Sequence, residues 1–197
     1  MQLIPDPRQI PQNEMPFIVN CNQRDLVGKL IDWRTDRKGI HPFCHSMLVV
    51  DQGSFISQTP DGYLVIDMGK YMVPDTYLVF TELVNANQEF ITAFSKSVND
   101  KLNGPWWRKS YNWLQIVGQS IGLPWLAWPG IDDCTMDVIF HLKQAATTLP
   151  NLDRVVIQSI PNNCNPEQFA KIQFENQNVF NAKYCYDSNN GVIVPNV

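Results

Sequence analysis

Four short apolar runs, each closed by turn chemistry, limit this 197-residue chain more than any other feature. They are Ser46–Val50, Phe55–Gln58, Tyr63–Ile66 and Tyr77–Thr81, with Asp51-Gln52-Gly53-Ser54 and Thr59-Pro60-Asp61-Gly62 between the first three. Runs of four or five residues are too short for helices, and Asp, Gly and Pro at their ends favour reversal. The pattern predicts an antiparallel meander. Because each run is apolar at nearly every position, the sheet should be covered on much of both faces.

The rest reads as helix and arm. Residues 1–16 carry four prolines and few apolar side chains, which predicts an extended arm. A short helix is expected from Asp25 to Trp33. A second is expected over residues 86–101, where Phe90, Ile91, Phe94 and Val98 share a face. Gly104-Pro105 ends it, and tryptophans 106, 107, 113, 125 and 128 crowd the region around a third helix near residues 112–121. Those indoles suit either a core or a wall for a glycan or peptide. Val155-Val156-Ile157 reads as a strand or edge segment. The division this implies is an arm over 1–20, a main domain over 21–170, and a polar extension over 171–197 packed on that domain.

Composition removes several functions. A net charge of −4 argues against an open basic face for nucleic acid. No apolar run has the length of a membrane span, and the first residues lack a signal-peptide layout, so synthesis in the cytoplasm is expected. Neither GxxxxGK[ST] nor GxGxxG occurs to cradle phosphate, and no HxH, HExxH or CxxC spacing offers a metal site. The five cysteines are widely spaced, which predicts free thiols, with Cys164 and Cys185 the first pair to examine for a disulfide.

Chemistry centres on Cys134. It follows two aspartates and precedes Met136, Ile139, Phe140 and Leu142 at helical spacing, which puts the thiol in the first turn of a helix. Unpaired backbone N–H groups and the helix dipole favour the thiolate there. His45, at the start of an apolar strand, is the candidate base. A third polar group must orient the imidazole, and the returning strand offers Gln58 or Ser57, only one of which can face His45. Gln58 is preferred for its reach and its amide oxygen. His141, two helical turns beyond Cys134, is too far along the axis to serve, and His41 lies in a loop.

Three segments together resemble the circularly permuted NlpC-type papain-like peptidases and amidases, the group with the lecithin:retinol acyltransferase-like order of His before Cys. They are Gly28–Thr35 with Phe43-Cys44-His45-Ser46-Met47-Leu48-Val49, then Ser110–Gly118, then Asp133-Cys134-Thr135 with Asn165-Pro166-Glu167-Gln168-Phe169. Thr135-Met136 stands where such relatives carry Ser-Glu, and Cys44 where they carry Ser. The resemblance implies an α+β, permuted papain-like fold whose antiparallel sheet packs on the helix of the nucleophile. It also implies a thiol hydrolase of amide bonds in peptidoglycan stem peptides, without cofactor. The spacing from His45 to the Asp61-Gly62 turn is most similar to phage-encoded members, with tail or baseplate proteins as partners through the arm and a place in the virion. The alternative is a catalytically degenerate structural or adaptor protein of a phage tail or baseplate.

Overall fold

A computed structural model describes residues 1–22, 43–59, 61–109 and 134–189. The helices expected at Asp25–Trp33 and near residues 112–121, His41, and tryptophans 113, 125 and 128 lie outside these segments. Among the described residues the chain is mixed α+β, built on a seven-stranded sheet. The strands are β1 (Gln2–Leu3), β2 (Phe17–Cys21), β3 (His45–Asp51), β4 (Ser54–Thr59), β5 (Gly62–Asp67), β6 (Tyr77–Leu83) and β7 (Phe180–Asp187), and they stand in the order β1-β7-β6-β2-β3-β4-β5. Four helices accompany them: α1 (Gln88–Leu102), α2 (Cys134–Ala145), α3 (Asn151–Ser159) and α4 (Pro166–Glu175).

The β3–β4–β5 hairpins follow their turn residues. Gly53 adopts φ 78°, the left-handed conformation that a tight reversal needs and that glycine accepts without a Cβ clash. Two of the helices likewise begin at capping asparagines. Asn87 accepts the Phe90 N–H at 2.8 Å to start α1, and Asn165 and Gln168 form a reciprocal capping box at the start of α4.

Two segments read from sequence as an arm and an extension are sheet strands. Phe17–Cys21, all five residues buried, is an inner strand between β3 and β6, and Phe180–Asp187 pairs with both β6 and β1. A five-residue strand that follows a run of prolines has no periodicity of its own to announce it, and β7 is polar because it lies towards an edge. The fourth expected strand, Tyr77–Thr81, forms but joins β2 and β7 instead of continuing the meander after β5. Val155-Val156-Ile157 belongs to α3: Asp153 and Ile157 are buried while Leu152 and Val155 are exposed, a spacing of four that suits a helix.

Alternation along the strands divides the core. One face of the sheet carries Ile18, Leu48 and Ile56 against Phe90, Phe94, Val138, Ile139 and Leu142 of α1 and α2. The opposite face carries Phe17, Val19, Cys21, Met47, Val49 and Phe55 against Met68, Tyr71 and, from the N-terminal segment, Ile10 and Met15. The N-terminal segment is fastened to the β3–β4 turn by the Gln52 N–H to Gln12 Oε1 (2.8 Å) and Gln52 Nε2 to the Arg8 carbonyl (3.0 Å).

Candidate active site

His45 opens β3 opposite Cys21, and the alternation that buries Met47 and Val49 carries its ring to the same face. There the imidazole lies parallel to the Tyr71 ring, with centroids 6.2 Å apart. On β4 the same alternation puts Phe55 and Ser57 on this face, and Ile56 and Gln58 on the other. The Leu48–Ile56 register, extended one residue, sets Ser57 diagonally across from His45. Ser57 Oγ stands 2.8 Å from His45 Nε2.

Of the two candidates it is Ser57 that meets His45, and the expectation that Gln58 does so is corrected. Gln58 is fully buried and donates through Nε2 to the Lys109 carbonyl at 2.7 Å, while its Oε1 meets no donor among the described residues. Reach did not decide the matter; strand parity did.

Cys134 is the first described residue of α2 and is buried, with Sγ 3.9 Å from Thr135 Oγ1. Thr135 Oγ1 donates to Ser46 Oγ at 3.4 Å, Ser46 Oγ donates to Asn20 Oδ1 at 3.1 Å, and Asn20 Nδ2 donates to Gln173 Oε1 at 2.7 Å. This buried chain of polar side chains stitches the start of α2 to β3, β2 and α4. The residues beside Cys134 and His45 thus touch each other. Ser46, however, belongs to the helix-covered face, so the imidazole of His45 and the body of α2 stand on opposite faces of β3.

A second titratable cluster lies between α1, α2 and β5. Lys101 Nζ is 2.6 Å from Asp137 Oδ1, and His141 Nε2 is 3.2 Å from the same oxygen and 3.1 Å from the Tyr63 hydroxyl. Ser97 Oγ stands 2.8 Å from His141 Nδ1. Lys101, Asp137 and His141 are all buried. Burial acts to raise the Asp137 carboxyl, but the His141 hydrogen bond and the nearby Lys101 outweigh it, leaving the group below its ordinary value.

Ser97, His141 and Asp137 repeat the connectivity of a hydrolytic triad but not its setting. Ser97, which would be the nucleophile, sits in the interior of α1, where backbone N–H groups are committed to the i−4 carbonyls and none is left to hold an oxyanion. The cluster is an internal ionic brace. Its sequence signal was the Asp137/His141 pair at a spacing of four, facing an α1 stripe that ends in lysine.

Among the described residues no three His, Cys, Asp or Glu converge as a metal site requires, and no helix is long and apolar enough to cross a membrane. All five cysteines are free thiols, so Cys164 and Cys185 form no disulfide. No family model matches the chain, and no curated protein matches it.

Proposed function

We propose that the chain is a permuted papain-like thiol hydrolase that cleaves an amide bond. The observation that carries this reading is the His45 Nε2–Ser57 Oγ contact at 2.8 Å: an imidazole held through one nitrogen by the neighbouring strand, on the strand against which the Cys134 helix packs. His45 would take the Cys134 proton and the thiolate would attack the carbonyl carbon. The same proton would pass to the leaving amine, and water would then hydrolyse the thioester. Backbone N–H groups in the first turn of α2 would receive the oxyanion. Peptidoglycan stem peptides are the substrate class that the resemblance suggests, and the phage-virion setting with tail or baseplate partners has the same source.

The second reading, a catalytically silent structural or adaptor protein, is favoured by one specific observation: the His45 ring lies flat against Tyr71 on the face away from α2. Two measurements separate the readings. Purified murein is incubated with the parent, Cys134→Ala and His45→Ala proteins, and released peptides are counted. Iodoacetamide modification of Cys134 is followed against pH. Release by the parent alone, with thiol reactivity well below the usual thiol pKa of about 8.5, supports the hydrolase. Equal release by all three, with a thiol inert until unfolding, establishes the structural role.

A further inference from the structure

Among the described residues β5 is the last strand of the sheet, paired to β4 on one side. Its register with β4 runs unbroken from Thr59↔Gly62 to Ser54↔Asp67, and one step further the Met68 N–H donates to the Gly53 carbonyl at 3.0 Å. In an antiparallel ladder the backbone groups of alternate residues point to the same side. Gly62, Leu64 and Ile66 therefore turn theirs to β4, as Met68 does, and Tyr63, Val65 and Asp67 turn theirs away from the sheet. No described residue bonds the Val65 backbone on that outer side.

The side chains leave this edge open on both faces. Leu64 is 40% exposed and Val65, on the opposite face, 59%. The strand Gly-Tyr-Leu-Val-Ile-Asp holds no proline, no lysine and no bulge, the devices that ordinarily keep an edge from pairing. The surface beside it is apolar as well. The 3-10 turn Trp106–Lys109 is fastened to this end of the hairpin by Gln58 Nε2 at the Lys109 carbonyl, and it presents Trp106 at 78% and Trp107 at 50% exposure.

The edge is also self-complementary. Asp67 is the single charged residue of β5. Antiparallel pairing with a second β5 about Val65 lets the two Val65 residues exchange N–H and C=O bonds, brings two exposed valines together on one face, and sets each Asp67 opposite Tyr63 of the other copy. The two carboxylates then lie at opposite ends of the paired strands, whereas parallel pairing would bring them side by side. We infer that β5 is a self-association edge, which joins two copies of this chain into one continuous sheet about a two-fold axis at Val65. The inference is independent of the hydrolase reading, since neither Cys134 nor His45 lies on β5.

The test is sedimentation equilibrium of the full chain at neutral pH over a wide concentration range. The expected result is a weight-average mass that rises towards that of two chains, with a dissociation constant on the order of micromolar, as suits a small interface. Val65→Lys and Val65→Glu each set like charges face to face and should weaken association about tenfold or more, with circular dichroism matching the parent, while an equimolar mixture of the two should recover it. Val65→Cys should give a reducible cross-linked dimer on mild oxidation, because the facing residues of a hydrogen-bonded pair stand about 5.5 Å apart at Cα, within disulfide reach. Leu152→Cys, exposed on α3, should not. A chain that stays monomeric throughout, charged variants that associate as the parent does, a mixture no tighter than its components, or no excess of cross-linking at position 65 over position 152 overturns the assignment.

Discussion

The two histidines described in this chain sit in opposite circumstances. His141 is wholly buried and its two nitrogens are occupied by Ser97 on one side and by Tyr63 and Asp137 on the other. His45 is half-buried at the beginning of a strand, with Ser57 on Nε2. The difference teaches how to sort titratable groups. A ring saturated by protein partners and closed off from water contributes to stability, whereas a half-buried ring at a strand end stays within reach of solvent, where a titratable group can serve chemistry.

That contrast can be broken by mutation, and the largest effects are expected at the half-buried site. On murein, Cys134→Ala or His45→Ala should reduce amide cleavage by about 10⁴-fold or more, since nucleophile and base act as a unit. Both proteins should unfold at nearly the parent temperature. By the same comparison, Ser97→Ala should change stability without abolishing turnover.

The buried brace should respond next, in stability. Lys101→Met leaves the Asp137 carboxylate desolvated and should cost about 3–5 kcal/mol in urea unfolding. Replacing both charges, as Lys101→Met with Asp137→Leu, should recover much of that loss, because a buried pair returns little more than its desolvation cost. Loss of equal size in the double variant would show that the brace adds stability of its own.

Acid should find the same cluster. The folded Asp137 carboxyl lies below its unfolded value, so its contribution is present above the unfolded pKa and disappears as pH falls through the folded one. Asp137→Asn should therefore flatten the acidic limb of the stability curve, as monitored by circular dichroism. An unchanged acidic limb would place the acid sensitivity elsewhere.

The smallest effects concern orientation. Ser57→Ala should lower amide cleavage by about tenfold to a hundredfold while shifting stability by about 1 kcal/mol, the net worth of one hydrogen bond. Gln58→Ala should leave cleavage near the parent level, because its amide serves the Lys109 carbonyl. The reverse ranking would restore Gln58 as the orienting residue.

Much of the fold could be read from local pattern. The β3–β4–β5 hairpins, α1, and α2 bearing Cys134 each follow from apolar spacing and from turn or cap chemistry within a dozen residues. These are short-range effects, decided by sterics and neighbouring hydrogen bonds. Non-local pairing was not legible: β2 lies between β3 and β6 because its side chains fill both cores, and nothing within Phe17–Cys21 announces those partners.

The candidate site divides in the same way. Sequence by itself determined that Cys134 lies on a helix, that His45 begins a strand, and that only one of Ser57 and Gln58 could face the imidazole. Which one did, and which face of the sheet each residue took, was decided by tertiary structure. The period of a strand is two, so alternation is a local rule, but its phase is set by the core that each face must bury. Lys101, Asp137 and His141 teach the same lesson: three polar residues scattered along helical patterns became a single brace only when α1 and α2 were packed face to face.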